Sequence, residues 1–127
     1  MTLIEFPLIN IPNQPPEEYY GNREYKYYLD SSKFKNIEHI IDKKATQMLF
    51  RIYEGGGIAK YIIGIKDNGE ATGINYIKSI ESLNFLLRII DKLGAYLKKI
   101  RFYKGHTGYI FAAHVYKDDI QNIELNL

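Results

Sequence analysis

The sequence predicts an α+β domain in which two helices pack on one face of a mixed five-stranded sheet, in the order β-α-β-β-α-β-β. Three observations carry that expectation. Two stretches repeat apolar residues at helical spacing, and a glycine follows each. Between them, Asp67-Asn68-Gly69 marks a tight turn joining two short strands. After the second helix, two strand-like runs flank the loop Lys104-Gly105-His106-Thr107-Gly108.

Residues 1–20 hold Pro7, Pro12, Pro15 and Pro16, all the prolines of the chain. Proline fixes φ and removes a donor, so this segment reads as an extended arm. Leu8, Ile9 and Ile11 give it the means to dock in a groove; a free terminus is the alternative. Arg23 to Leu29 is the first strand, with Tyr25 and Tyr27 inside it, and Asp30-Ser31-Ser32 is turn chemistry. A helix follows from about Asn36 to Tyr53. Ile37, Ile40, Ile41, Ala45, Met48, Leu49 and Ile52 fall on one face of it. Gly55-Gly56-Gly57 ends it. Ala59 to Lys66 is a strand with an apolar centre, Tyr61-Ile62-Ile63-Gly64-Ile65, which predicts burial on both faces. Ala71 to Ile74 is the returning strand. The second helix is expected from Ile80 to Leu93, with Ser79 as N-cap. Its buried stripe is Ile80, Leu83, Leu86, Leu87 and Ile90, and Gly94 closes it. Tyr96–Tyr103 and Tyr109–Tyr116 form the final hairpin. The expected organisation is an arm at 1–20, one domain at 21–117 and a polar tail at 118–127.

A chain of 127 residues that is 46% hydrophobic and 25% charged can bury one core. With no cysteine, disulfides and thiolate metal sites are excluded. The start, Met1-Thr2-Leu3-Ile4-Glu5-Phe6, lacks the basic and apolar regions of a secretory signal, and no apolar run approaches a membrane span. A soluble cytoplasmic protein, with no membrane partner, is the expectation. A net charge of +2 supplies no global field for polyanions, so any nucleic-acid contact has to be local.

No catalytic apparatus is expected. Phosphate-binding loops need glycines ahead of Lys-Ser/Thr and a helix N-terminus. Here Gly55-Gly56-Gly57 follows a helix, at the negative end of its dipole. His39, His106 and His114 are scattered without metal-ligand spacing, and no serine sits in a nucleophile motif. No metal and no cofactor are therefore expected. The one enzymatic pattern with content is acidic. Glu17, Glu18 and Glu24 lie near the first strand, and Asp67 ends a central one. Such acids can hold a divalent ion for phosphodiester cleavage, although an arm and a turn account for them too.

Basic residues supply the candidate binding sites. Lys43, Gln47 and Arg51 recur every four residues on the first helix, beside Lys44. Lys98, Lys99, Arg101 and Lys104 cluster with His106 on the last hairpin, interleaved with Tyr96 and Tyr103. Solvated lysines commonly serve solubility alone, but on a near-neutral chain such patches are where an RNA backbone would bind.

A family resemblance gives these patches a context. Thr46-Gln47-Met48, Arg51, Glu54-Gly55, Gly57, Ala59, Tyr61, Ile63-Gly64, Asp67-Asn68-Gly69 and Gly73 resemble, at matching spacing, the region ahead of the GTPase domain in the GTP-binding protein 1 and 2 family of elongation-factor-like translational GTPases. Glu24-Tyr25-Lys26, Ser82-Leu83, Leu86 and Gly94-Ala95 extend the likeness over about Gly21 to Lys117. No nucleotide-binding motif follows before Leu127. The resemblance therefore implies a translation setting without GTP hydrolysis: a factor that binds the ribosome, through rRNA or a tRNA site, and holds it idle as dormancy (hibernation) factors do. It would be a monomer off the ribosome. A weaker likeness joins Glu24-Tyr25-Lys26, Gly56-Gly57, Ile63-Gly64-Ile65 and Asp67-Asn68-Gly69 to the Schlafen/AlbA-type fold, some members of which cut tRNA with three acids. Tyr19 stands where the first acid would be and Glu18 is one residue off, so Glu18, Glu24 and Asp67 make an incomplete set. A third reading is a protein-interaction module whose arm, residues 1–20, docks a protein partner.

Overall fold

A computed structural model describes residues 1–30 and 35–118. It contains β1 (Leu3–Glu5), β2 (Arg23–Lys26), α1 (Ile37–Glu54), β3 (Ile58–Ile63), α2 (Tyr76–Leu93), β4 (Tyr96–Lys104) and β5 (Tyr109–Tyr116). The strands form one sheet in the order β1-β4-β5-β3-β2. β1 runs parallel to β4 and β2 parallel to β3, while β5 is antiparallel to both its neighbours. The expected α+β class, the two helices and the five-stranded mixed sheet are all present.

One strand differs from expectation. Ala71–Ile74 joins the sheet only through an isolated bridge from Ile74 to Tyr109. Its carbonyls are taken by the hairpin loop instead: Ala71 O accepts from His106 N at 2.8 Å and Thr72 O from Thr107 N at 2.9 Å. The segment crosses the end of the β4–β5 hairpin so closely that a Cβ on Gly108 would meet Ile74 O at 2.5 Å. The fifth strand comes from the arm. Leu3, Ile4 and Glu5 pair with Lys99, Ile100 and Arg101. Beyond β1 the arm follows the same edge, with Leu8 N donating to Phe102 O and Lys104 N to Ile9 O. Proline excludes a central strand, not an edge position, and β1 itself is proline-free.

α1 buries Ile41, Ala45, Met48 and Ile52, as its period predicts, with Ile37, Ile40 and Leu49 at the flanks. Its C-terminus closes with Gly55 N on Arg51 O and Gly57 N on Ile52 O. α2 begins earlier than expected. Asn75, not Ser79, is the N-cap, accepting from Lys78 N at 2.8 Å. The buried face is therefore Ser79, Ser82, Phe85, Leu86, Ile89 and Ile90, and Ile80 and Leu87 face solvent. Ser82 Oγ, in the core, accepts from Leu29 N at 3.0 Å, which turns the chain away after β2. Of the Asp30-Ser31-Ser32 turn and the 118–127 tail, all but Asp30 and Asp118 lie outside the described residues.

Both helices lie on one face of the sheet, over Ala59, Tyr61, Ile63, Ile100, Phe111, Ala113 and Val115. The opposite face carries a smaller cluster of Tyr25, Ile62, Ile65, Ala71, Ile110 and Ala112, with Ile11 of the arm packed against it. That leaves the remainder of this second face open.

Candidate nucleic-acid interface

The open face is built by strand alternation. In β3, Ala59, Tyr61 and Ile63 point to the helices, so Lys60 and Ile62 point away. By the same parity Ala112, His114 and Tyr116 of β5 share the open face. The register aligns them across the sheet: Arg23 of β2 pairs with Lys60, Lys60 with His114, and His114 with Lys99 of β4. Four nitrogen-bearing side chains thus form one cross-strand row. The next row is Tyr25, Ile62, Ala112, Arg101 and Glu5. On the other side of the cationic row, Tyr96 and Tyr116 stand opposite each other with rings stacked at 5.9 Å and 20°.

A register shift between Leu97 and Lys99 makes room for this layout. The extra residue, Lys98, lays its ammonium over the Tyr116 ring at 4.5 Å. Arg101 and Arg23 cover Tyr103 and Tyr25 at 5.3 and 5.8 Å. Glu5 offsets part of this charge, 3.1 Å from Lys99 and 3.5 Å from Arg101, and the Asp118 carboxylate stands at Tyr96, 2.9 Å from its hydroxyl.

The cations perturb one another. Partial burial lowers the Lys60 ammonium below its ordinary range, and Arg23, Arg101 and Lys99 lower it further. Burial likewise lowers His114, with Lys60, Lys99 and Arg101 adding to the effect. The unfolded chain takes up the His114 proton near pH 6.5 and the folded chain only at a lower pH. Stability from this site is therefore complete above about pH 6.5 and declines as pH falls from there through the lowered value. Urea midpoints measured between pH 7.5 and pH 5 should fall in the native protein, and His114→Gln should reduce that slope. An unchanged slope would show His114 to be freely protonated in the fold.

The residues predicted from the sequence divide three ways. Lys98, Lys99 and Arg101 lie on the open face. Lys104 and His106 stand at the far end of the hairpin, with Lys98 and Lys104 about 20 Å apart along the strand. There the arm meets them: Asn10 bridges to Lys104, and His106 Nε2 bonds Asn13 Oδ1 at 2.9 Å. Lys43, Lys44 and Gln47 sit on α1, in the layer on the other side of the sheet. Lys43 and Gln47 are exposed, while Lys44 is half-buried beside Lys26 and is lowered by that burial first. The two patches do not merge.

Arg51 needs correction. It is 5% exposed and belongs to the interior. Its guanidinium pairs with buried Glu24 at 3.0 Å and donates to Gly21 O at 2.8 Å and Glu18 O at 3.0 Å. No donor faces outward for RNA. The four-residue spacing from Lys43 and Gln47 places Arg51 at the edge of the helix stripe, and the acid opposite draws it in.

The acids converge differently from expectation as well. Glu17, not Glu18, reaches Glu24. The Glu17 carboxylate accepts from Tyr25 N, and burial raises its pKa above the ordinary range, with Glu24 and Asp67 contributing. Glu18 lends only its backbone carbonyl to Arg51. Among the described residues no three acid or histidine side chains form a group suited to a metal ion.

Arg23, Lys60, His114 and Tyr116 belong to the open face but not to the patches predicted from the sequence. Period-two alternation in Ala112-Ala113-His114-Val115-Tyr116 carried part of that signal.

The comparisons with known proteins bear on the same domain. Over 92 residues, 72% of this chain, the sequence is 39% identical to a curated protein of Homo sapiens, and equally to its Mus musculus counterpart. Both are GTP-binding protein 2. The resemblance seen in the sequence thus holds at the level of GTP-binding protein 2. The match spans 15% of the length of GTP-binding protein 2, so most of that protein lies outside it. No family model and no solved structure matches the chain. No helix among the described residues is long and apolar enough to cross a membrane.

Proposed function

We propose that this chain is a non-enzymatic, translation-associated factor that binds ribosomal RNA or a tRNA site on the ribosome through the open face of its sheet, and that it holds ribosomes idle in the cytoplasm. The observation that carries this reading is the cross-strand row Arg23, Lys60, His114 and Lys99, extended by Lys98 and Arg101. Five of the chain's 17 lysines and arginines gather there, where the sheet has no helix layer over it. Basic side chains beside exposed rings are the recurrent chemistry of RNA contact. The likeness to GTP-binding protein 2 supports a translation setting.

Sedimentation of cell extracts through sucrose gradients tests it. At low salt the protein should travel with a ribosomal fraction and be released as salt rises, because each neutralised phosphate contributes to the salt dependence. Lys60→Glu with Lys99→Glu should leave the protein at the top of the gradient, whereas Lys43→Glu should not. Absence from every ribosomal fraction at low salt would overturn the reading. Discrete cleavage of tRNA in Mn²⁺ by the purified protein, lost in Asp67→Asn, would favour the endonuclease reading in its place.

A further inference from the structure

We propose that the open face selects single-stranded RNA over duplex. This rests on the RNA-binding reading above and adds the form of RNA. Two independent features meet on the face. The cationic row runs across four adjacent strands, about 14 Å from Arg23 to Lys99 at ordinary strand spacing. It is a narrow track that follows one backbone. Flanking it is an aromatic platform. Tyr116 has Lys98 over its ring and Tyr96 stacked against it, and Tyr96 itself is 43% exposed. The Tyr96 hydroxyl donates to Asp118 at 2.9 Å, which fixes the ring.

An exposed ring face matters only to a base whose own face is free. In a duplex the bases are stacked on their neighbours and present edges and phosphates. In a single strand a base can leave its neighbours and stack on tyrosine. The row alone would take either form; the ring beside it distinguishes them. Tyr25 plays no part in this, being buried, and Ile11 of the arm packs on the apolar cluster to which Tyr25 belongs. The track therefore has one aromatic end and one covered side.

Fluorescence anisotropy with the full chain tests this, using a labelled unstructured 12-nucleotide RNA and the same strand annealed to its complement, at low salt. The single strand should bind at least tenfold more tightly. Tyr96→Ala should remove most of that preference, and Lys98→Glu, an exposed position that leaves the core untouched, should weaken the single strand severalfold. Lys43→Glu on the opposite layer should change neither. Equal affinity for the duplex, or a preference untouched by Tyr96→Ala in a variant with native circular dichroism, would overturn the single-strand proposal while leaving ribosome binding standing. Failure of both RNAs to bind, together with absence from ribosomal fractions, would remove the broader reading as well.

Discussion

Arg51→Ala should lower the unfolding free energy by about 3–5 kcal/mol, the cost of removing one partner from a buried ion pair. Glu24 is 1% exposed, and Arg51 supplies its close cationic partner at 3.0 Å; Lys26 lies farther off, at 3.7 Å. Without Arg51 the carboxylate keeps its burial and loses that contact. The same substitution frees Gly21 O and Glu18 O, so the end of the arm and the start of β2 lose two of their ties to α1. Against a typical stability of about 5–15 kcal/mol for a domain, a change of this size is large. Urea denaturation at pH 7 measures it. The double replacement Arg51→Met with Glu24→Leu should recover much of the loss, since apolar pairs of similar volume often match buried ion pairs. A loss below about 1 kcal/mol in Arg51→Ala would class the pair with solvated surface bridges.

Gly69→Ala should detach the middle of the arm. Gly69 has φ +92°, and a Cβ there would meet Gln14 O at 1.9 Å. Gln14 N donates to Gly69 O at 2.8 Å, so arm and turn are in direct backbone contact. The left-handed conformation alone costs an alanine about 1–2 kcal/mol. Displacing Gln14 also strains the neighbouring bonds, Glu17 N to Asp67 O and Ala71 N to Asn13 Oδ1, each worth about 1 kcal/mol. Gly56→Ala is the matched control. Its φ is +66° with nothing within 4 Å of the added carbon, so it carries the strain without the collision. Hydrogen exchange should show faster exchange at the amides of Gln14, Glu17 and Ala71 in Gly69→Ala and native protection there in Gly56→Ala. Equal protection in both variants would show that the arm adjusts without cost.

What the sequence disclosed follows from the range of each signal. The apolar period of α1, its glycine exit and the last hairpin are local, and they appear where expected. α2 was misplaced by one turn because Ser79 and Asn75 are both acceptable caps and Ser82 resembles a surface residue. Only the contact with Leu29 shows why Ser82 is buried. The arm was legible as extended but not as a strand, since its partner β4 lies some ninety residues away and nothing local names it. The site shows the same division. Lys98, Lys99 and Arg101 are close in sequence, so their clustering on one face is a local signal. Arg23, Lys60 and His114 come from three separate strands and become neighbours only through register. Arg51 failed for the complementary reason: a helix position at the border between faces is decided by the partner across from it.

The pairing of β1 with β4 also orders events in time. Leu3, Ile4 and Glu5 leave a ribosome well before their partners Lys99, Ile100 and Arg101, with all of β2, α1, β3 and α2 made in between. A vectorially emerging chain can form α1 and β3 early, but its sheet stays open along β4 until β4 meets β1. Closing so long a loop is slow compared with local contacts. Until then the apolar side chains of the arm and the edge of β4 are both uncovered, the condition in which nascent domains are open to misassembly.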